Sequence, residues 1–283
     1  MSRRALVLGG GGSAGNAWLI GVMAGLFDGG VDVRAADLIV GTSAGATAAA
    51  QVTGALPGQL LIDVVSAAVS PRPASIGPVA KHMQMTDAII GAAVDAADMR
   101  RRLGAAALAA AGDGGLRWRD TVAARLPGPD WPRQRLLIPA VDAHSGEPAV
   151  FDRDSGVDLV DAVAASTSNG FGVPPYAIGE GRYIDGGYRA DVNADLAAGY
   201  ERVLIVAPFG ARTRKPLAWR LHLVAQAEDL RAGGSRVETI FPDERAQGAF
   251  GGDMMDLSRR APSARAGYDQ GKGLAGALGG FWG

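Results

Sequence analysis

The first 30 residues combine a short apolar run with a helical pattern. Ala5 to Leu8 form a continuous apolar run that ends in glycines, which is typical of a buried strand. Residues 16–28 then have helical spacing, with Trp18, Val22 and Phe27 at inward positions, and Gly29 ends the pattern. A buried strand followed by a helix is therefore predicted.

The same order is repeated immediately afterwards. Residues 37–40 form a second apolar run, which leads directly into Gly41-Thr42-Ser43-Ala44-Gly45. An alanine-rich segment with helical character continues to about Gly54. Strand, glycine loop, helix, strand, tight turn and helix form the usual opening of a parallel α/β sheet.

Residues 56–130 have a different pattern. They contain several prolines, a helical stretch from Met83 to Leu108 and the loop Gly112 to Gly115, without a convincing strand pattern. We predict a helical insertion near 56–130 beside the sheet. It acts as a lid or packs as ordinary helices of the same domain.

Strand patterns return from Arg135 onwards. The predicted elements are two strands at 136–141 and 148–151 joined by the turn 144–147, a helix at 157–166, a short strand near Tyr183, a strand at 203–207, a helix near 216–232, a strand at 236–241 and a helix at 262–275 before a glycine-rich tail. We find neither a repeat nor a linker. The chain, 1–283, is therefore predicted to be a single domain of the α/β class, with a mostly parallel central sheet flanked by helices on both faces.

Composition narrows the function classes. The net charge of −1 argues against a nucleic-acid partner, and the absence of cysteine excludes disulfides and thiolate catalysis. The apolar run at 5–8 is too short for a signal peptide, and no stretch approaches the ~20 apolar residues that span a bilayer. We expect a cytoplasmic protein with no metal or other cofactor, which touches a membrane only through a local patch. The candidates for an apolar entrance at such a patch are Ile89, Ile90 and Met99 in the insertion, or Phe281 and Trp282 in the tail.

Gly41-Thr42-Ser43-Ala44-Gly45 fits the pattern G-x-S-x-G between a strand and a helix. Such a turn is so tight that its flanking residues need to be nearly free of side chains, and it raises the serine hydroxyl above the edge of the sheet. The N-terminus of the next helix adds free N–H groups where an oxyanion would develop. Ser43 is therefore a candidate nucleophile, and the alternative is a purely structural tight turn.

The glycine loop at 9–15 has two interpretations. Its bare backbone N–H groups suit an oxyanion or a phosphate. Gly10, Gly12 and Gly15 also satisfy G-x-G-x-x-G, so a dinucleotide-binding oxidoreductase is an alternative. That fold requires an acidic residue at the end of the second strand, whereas Asp32 and Asp37 lie before or at the start of it.

The three histidines are weak candidates for a catalytic base. Ser43, Asp185 and His222 run in the chain order of α/β-hydrolase triads, but His222 lies within the helical pattern near 216–232. His144 is interpreted as a turn residue and His82 as part of the insertion. Asp185 precedes two glycines at the end of a short strand, where the backbone can approach another loop closely. A simple Asp-Gly turn is the alternative interpretation of this position.

These elements together resemble the patatin-like phospholipases. The resemblance rests on the glycine loop 10–15, the serine motif 41–45 and the sequence 185–187 in this order, and similar residues stand at 140–147, 165–166, 174–175 and 182–184. It spans about residues 4–210. It implies a three-layer α/β/α fold and a serine lipid acyl hydrolase that uses a Ser–Asp dyad without a histidine.

Carried over residue by residue, the resemblance makes Ser43 the nucleophile and Asp185 its base. Gly10, Gly11, Gly12 and Ala44 would supply the N–H groups of the oxyanion hole. Two places depart from the family pattern: Ala14 replaces a basic residue, and 167–170 lacks a proline.

The expected partner is a lipid or another acyl ester, of phospholipase A or lysophospholipase type, with transient contact to a membrane surface. The departure at Ala14 keeps a second function class open. In this alternative, the chain is a catalytically weak member that binds lipid or a partner protein.

Overall fold

A computed structural model describes residues 3–68, 76–110 and 115–283, with the backbone alone for 76–80 and 115–116. Within these residues one sheet contains eight strands: β1 (Arg4–Leu8), β2 (Leu38–Gly41), β3 (Arg135–Asp142), β4 (Pro148–Phe151), β5 (Tyr176–Ile178), β6 (Gly181–Asp185), β7 (Arg202–Val206) and β8 (Arg236–Ile240). The order is β5-β6-β3-β2-β1-β7-β8, and β4 pairs with β3. The five strands from β3 to β8 along this order are parallel, while β4, β5 and β6 pair antiparallel.

Helices cover both faces of this sheet. They are α1 (Gly12–Asp28), α2 (Ala44–Gly54), α3 (Pro57–Ser66), α4 (Ile76–Ala92), α5 (Ala96–Ala110), α6 (Gly115–Ala123), α7 (Leu159–Ser166), α8 (Leu223–Ala232), α9 (Glu244–Phe250) and α10 (Arg260–Trp282). Alternate strand residues point to opposite faces. Leu6 and Leu8 pack in one hydrophobic core with α1, α2, α7 and α10, whereas Ala5 and Val7 pack in another with α8. The predicted α/β fold class is confirmed.

The first helix is longer and more deeply buried than its pattern indicated. It begins at Gly12 rather than at residue 16, and Trp18 and Val22 are fully buried as predicted. Phe27 was wrongly assigned to the core, since it is 39% exposed. It lies in the last turn, where the helix emerges from the core, and the Arg34 guanidinium stands 4.7 Å from the centre of its ring.

The described residues of the predicted insertion are mostly helical, but its longest segment is divided. α4 ends at Ala92 and α5 begins at Ala96, because Asp95 accepts a hydrogen bond from the Asp98 N–H (2.7 Å) and so caps a new helix. Ile90 and Met99, which we considered as parts of an apolar entrance, are buried in a small core. Of the predicted loop 112–115, residues 112–114 lie outside the described part, and residue 115 begins α6.

The predicted helix near 216–232 is wrong in its first half. A short 3-10 turn at Leu217–Trp219 is followed by Arg220 in a left-handed conformation (φ 54°), which interrupts helical geometry. α8 begins at Leu223, so His222 precedes the helix as its N-cap residue. The three-residue strand β5 and the short helix α9 were not predicted from the sequence.

The glycine-rich C-terminal residues form a helix, not a tail. α10 continues to Trp282, because its glycines allow close backbone contact with α1. A Cβ on Gly271 would lie 2.2 Å from the Val22 carbonyl oxygen. Phe281 and Trp282 are buried (6% and 3% exposed), so they cannot line the apolar entrance that we considered. In the described ranges, no helix combines the length and the apolar character that a membrane span requires.

Candidate active site

The serine motif forms a strained turn at the end of β2. Ser43 has φ 54° and ψ −118°, a combination that is unfavourable for a residue with a side chain, and α2 begins at the next residue. The flanking glycines are required by packing. A Cβ on Gly45 would lie 2.0 Å from the Leu8 carbonyl oxygen, and one on Gly41 would lie 2.7 Å from the Ala46 Cα. This is the tight strand-to-helix turn that the motif predicted.

The glycine loop after β1 lies directly beside this turn. A Cβ on Gly10 would be 3.5 Å from the Ser43 Cβ, and Gly12 has a positive φ of 60°. The N–H groups of Gly10, Gly11, Gly12 and Ala44 have no hydrogen-bond acceptor among the described residues. Gly12 and Ala44 are the first residues of α1 and α2, so their N–H groups have no partner within their helices. Free donors therefore border the serine.

Sheet register brings Asp185 to the level of Ser43. In the parallel pair of β2 and β3, Val40 is opposite Leu137. Three residues further along β3, Ala140 pairs with Asp185 of the antiparallel strand β6. Ser43 is likewise three residues after Val40. The serine turn after β2 and the aspartate turn after β6, which are distant along the chain, therefore lie close to each other.

Two buried connections join the serine turn to the aspartate turn. At the end of α7, the Ser166 hydroxyl accepts a hydrogen bond from the Ser43 N–H (3.1 Å), and the Ser168 carbonyl oxygen accepts one from the Asp185 N–H (2.8 Å). The Asn193 side-chain amide donates to the Thr42 hydroxyl and to the Gly186 carbonyl oxygen, both at 3.0 Å. These hydrogen bonds fix the positions of Ser43 and Asp185 relative to each other.

The surroundings of Asp185 change its acidity. Burial raises the pKa of its carboxyl to about 6, and three neighbours act in the opposite direction: the Ser43 hydroxyl, the Gly187 N–H and the charge of Lys215. The Gly187 N–H donates to the carboxylate at 2.7 Å. A carboxylate with a raised pKa accepts a proton more readily than an ordinary aspartate, which suits a general base at neutral pH.

Comparison with known protein families identifies the family of this chain. The model of the patatin-like phospholipase family matches residues 6–198. The chain belongs to the patatin-like phospholipase family. Membership of this family supports the hydrolysis of lipid esters. No curated protein matches the chain significantly.

Two solved structures resemble this family member over nearly its whole length. VipD from Legionella pneumophila shares 14% identity at a TM-score of 0.46, and the match covers 98% of this chain and 67% of VipD. The type III effector protein ExoU shares 17% identity at a TM-score of 0.39, with 98% of this chain and 53% of ExoU covered. The chain thus spans about two thirds of one and half of the other.

The chain departs from the usual family sequence at Ala14, and the structure shows what stands near this position. Ala14 is fully buried in the first turn of α1. From α10, the Arg260 guanidinium donates to the Ser13 carbonyl oxygen and to the Asn16 side-chain oxygen, both at 3.1 Å. Burial and the nearby Arg125 lower the pKa of Arg260 to about 10. A basic side chain therefore contacts this end of the glycine loop from another element.

The structure describes no histidine hydrogen-bonded to the Ser43 or Asp185 side chain. His222 precedes α8, which packs on the sheet face opposite to α1 and α2. His82 lies in α4 with its ring 4.9 Å from that of Phe171, and its pKa is lowered by burial and by Arg214. His144 lies in the turn between β3 and β4, as predicted.

We predict that His222→Ala retains ester hydrolysis within about twofold of the wild-type kcat/KM. The reason is that Asp185, not an imidazole, neighbours the Ser43 hydroxyl. Steady-state kinetics on a p-nitrophenyl ester measure this, and His144→Ala serves as the matched control on a surface turn. A loss of the size that a triad histidine causes, about 10⁴-fold or more, would instead assign the mechanism to a triad.

Asn193, Ser166 and Lys215 were not predicted from the sequence as residues that support the site. Asn193 is fully buried and left-handed (φ 57°), a conformation that asparagine tolerates better than most residues. Ser166 was noted as part of the family resemblance, but without a role. Lys215 had no signal at all, because only the folded chain shows that its ammonium group is buried.

The dinucleotide alternative finds no support in the acidic residues that it requires. Asp37 accepts a hydrogen bond from the Arg4 N–H (2.7 Å), and Asp32 caps a 3-10 turn and pairs with Arg34. Both are therefore occupied by local structural contacts. In the described part of the chain, no group of three or more histidine, aspartate or glutamate residues is arranged to hold a metal ion.

Proposed function

We propose that this patatin-like protein is a serine-dependent lipid acyl hydrolase with a Ser43–Asp185 dyad. The observation that carries the proposal is the double connection, through α7 and through Asn193, that fixes the strained serine beside the aspartate. A purely structural Asp-Gly turn would not require a buried asparagine that links it to the serine turn. We treat residues 1–283 as one catalytic domain, since β8 and α10 complete the sheet and the core beyond the family match.

The proposed reaction has two steps. The Ser43 Oγ attacks the ester carbonyl carbon while its proton passes to the Asp185 carboxylate. The negative charge on the carbonyl oxygen is stabilised by the N–H groups of Gly10, Gly11, Gly12 and Ala44. Asp185 returns the proton to the leaving alcohol, and an acyl-enzyme remains. Water, deprotonated by Asp185, then attacks the carbonyl carbon of the acyl-enzyme. The bond to the Ser43 Oγ breaks, Asp185 returns the proton to this Oγ, and the fatty acid leaves.

Apolar side chains beside the glycine loop support an acyl substrate. Phe209 lies 3.9 Å from the Cβ position of Gly10, and the Met255 sulfur lies 2.9 Å from that of Gly12. Both are about half exposed, at 46% and 49%. An exposed apolar rim next to a nucleophile suits an acyl chain or the surface of a lipid aggregate. We therefore include contact with a membrane surface in the proposal.

A graded series of p-nitrophenyl esters, from short to long acyl chains, tests the proposed function together with labelling of Ser43 by a fluorophosphonate. Hydrolysis and labelling are expected, with a preference for longer chains. Lysophospholipid supplied either as monomers or incorporated into phospholipid vesicles tests the membrane contact. Hydrolysis is expected to be faster with the vesicles than with the monomers. A folded protein that neither hydrolyses an ester nor reacts with the probe would contradict the hydrolase and favour a binding protein.

A separate prediction concerns Gly10 in the proposed oxyanion hole. Gly10→Ala is expected to fold, because its new methyl group would be in ordinary contact with the Ser43 Cβ at 3.5 Å. The variant keeps the Gly10 N–H, but its methyl group fills space beside Ser43 in which we propose that the oxyanion forms. We expect the oxyanion to lose access to this donor, so kcat should fall by about 10²–10³-fold, the usual effect of losing one donor. Gly58→Ala is the matched control, since its Cβ would meet nothing within 4 Å. Unchanged kcat in Gly10→Ala would remove Gly10 from the proposed hole.

A further inference from the structure

Lys215 is a buried cation behind the aspartate turn. Its side chain is 7% exposed, and it lies in the segment between β7 and α8. Its ammonium group donates to the Gly187 carbonyl oxygen (2.8 Å) and forms an ion pair with Asp191, which is 17% exposed. Burying a charged side chain is unfavourable unless a specific partner compensates it. The contacts of Lys215 indicate what this charge does.

Both ends of Gly187 are held. Its N–H donates to the Asp185 carboxylate, and its carbonyl oxygen accepts from Lys215. Glycine has the freest backbone of all residues, so these two hydrogen bonds limit how the turn can rotate. The ammonium group also acts electrostatically on the Asp185 carboxylate.

We propose that Lys215 is a positioning residue of the dyad, which fixes the turn at 185–187 through the Gly187 carbonyl and keeps a positive charge beside the base. It does not touch the reacting atoms. Asp191 holds Lys215 in place from the same turn region and partly neutralises it. This role rests on the proposed function, because it concerns the base of that reaction.

The charged and titratable neighbours of the turn make the electrostatic effect predictable. Asp185 is faced by the Ser43 hydroxyl, by Lys215 and by Tyr188, whose pKa is raised by burial and by the Asp185 charge. Lys215 is faced by Asp191. The adjacent cation Arg214 points elsewhere: it pairs with Asp87 (2.6 Å) and donates to the Met83 carbonyl oxygen (2.9 Å) of α4.

The test is the pH dependence of kcat/KM on a p-nitrophenyl ester, whose acidic limb reports the pKa of the base in the free enzyme. Lys215→Met removes the positive charge, so the limb should move to higher pH by about one unit. Because the turn also loosens, kcat should fall about tenfold with little change in KM, since Lys215 does not contact substrate in this proposal. Lys215→Arg retains the charge and should return the limb to within a few tenths of a unit of wild type.

Two further variants separate the effect of the Lys215 charge on Asp185 from the effect of Lys215 on the packing of the turn. Asp191→Asn removes the carboxylate that partly neutralises Lys215, so the limb should stay in place or move to lower pH, opposite to Lys215→Met. Arg214→Met is the matched control, because it removes a cation one residue away that faces α4, and its limb should not move. Urea denaturation of each variant verifies that it is folded.

The outcomes distinguish this inference from the proposed function. An active wild type with the same limb in Lys215→Met would overturn the role of Lys215 and leave the hydrolase intact. Lys215 also borders a cavity of about 550 Å³ together with Asp87, Ile90 and Leu217. A raised KM with an unmoved limb would therefore assign Lys215 to substrate binding. Absence of ester hydrolysis and of Ser43 labelling in the wild type would refute the proposed function itself.

Discussion

Ser43→Ala is expected to reduce ester hydrolysis to the background rate, a loss on the order of 10⁶-fold for a nucleophile of this kind. The variant lacks the oxygen that forms the acyl-enzyme. The two neighbouring hydroxyls, of Thr42 and Ser166, are fully buried and already hydrogen-bonded, Thr42 to the Val192 carbonyl oxygen and Ser166 to the Ser43 N–H. Steady-state turnover of the preferred p-nitrophenyl ester and fluorophosphonate labelling measure the loss.

Thr53→Ala is a control for this prediction, because it removes a hydroxyl at the other end of the same helix, where it donates to the Ala49 carbonyl oxygen. It should keep its turnover. Ser43→Ala that hydrolyses esters at the wild-type rate, in protein freed of contaminating esterases, would refute the proposed nucleophile.

The strained backbone adds a stability test at the same position. Ser43 has φ 54° and ψ −118°, and a side chain in such a conformation costs about 1–3 kcal/mol. An alanine at this position would retain the strain, whereas a glycine relieves it at the expense of about 0.5–1 kcal/mol of unfolded-state entropy. We therefore expect Ser43→Gly to be more stable towards urea than Ser43→Ala. The reverse order would show that the turn is not strained.

Local sequence signals were sufficient to predict those parts of the site that are formed by residues close together in the chain. The serine turn was recognised within five residues, because the pattern G-x-S-x-G is local. The structure gives the packing reason for its glycines, since Gly41 lies against Ala46 and Gly45 lies against Leu8 of β1 with no room for side chains. The buried strands β1 and β2 are continuous apolar runs, and their ends determine where both loops lie. Pattern and packing therefore agree in this region.

The errors occur where tertiary contacts override local preference. Glycine lowers helix propensity by about 1 kcal/mol, so the sequence predicted a tail after residue 275. The same glycines let α10 contact the backbone of α1 closely, and burial of Phe281 and Trp282 stabilises the last turns. Lys215 and Asn193 were missed for a related reason. Their partners, Gly187 and Thr42, lie 28 and 151 residues away along the chain.

Asp185→Asn is expected to lower kcat by about 10²–10⁴-fold, the contribution typical of a general base. The amide has nearly the shape of the carboxylate, and its oxygen can still accept from the Gly187 N–H, so the turn should remain intact. What the variant loses is the ability to take the Ser43 proton. Kinetics on the p-nitrophenyl ester measure the loss, and the control is Asp195→Asn, whose carboxylate is 46% exposed and pairs with Arg189.

The same variant should be more stable than the wild type at neutral pH. The folded-state pKa of Asp185 is about 6, above the reference value of 3.8, so the native state binds its proton more tightly than the unfolded state does. The stability that the protonated Asp185 carboxyl contributes is fully present below about pH 4, and it is lost as the pH rises through about 6. Above that pH the buried charge destabilises the fold by up to about 3 kcal/mol, which asparagine avoids.

Urea denaturation at pH 4 and pH 7.5 checks this sign. The advantage of Asp185→Asn over the wild type should be small at pH 4 and larger at pH 7.5. An inactive variant without a gain in stability at pH 7.5 would show that the neighbours of the carboxylate, above all Lys215, stabilise its negative charge. An equally active variant would remove Asp185 from the mechanism. Loss of activity together with a gain in stability is the result expected of a buried carboxylate kept for its function as a base rather than for the fold.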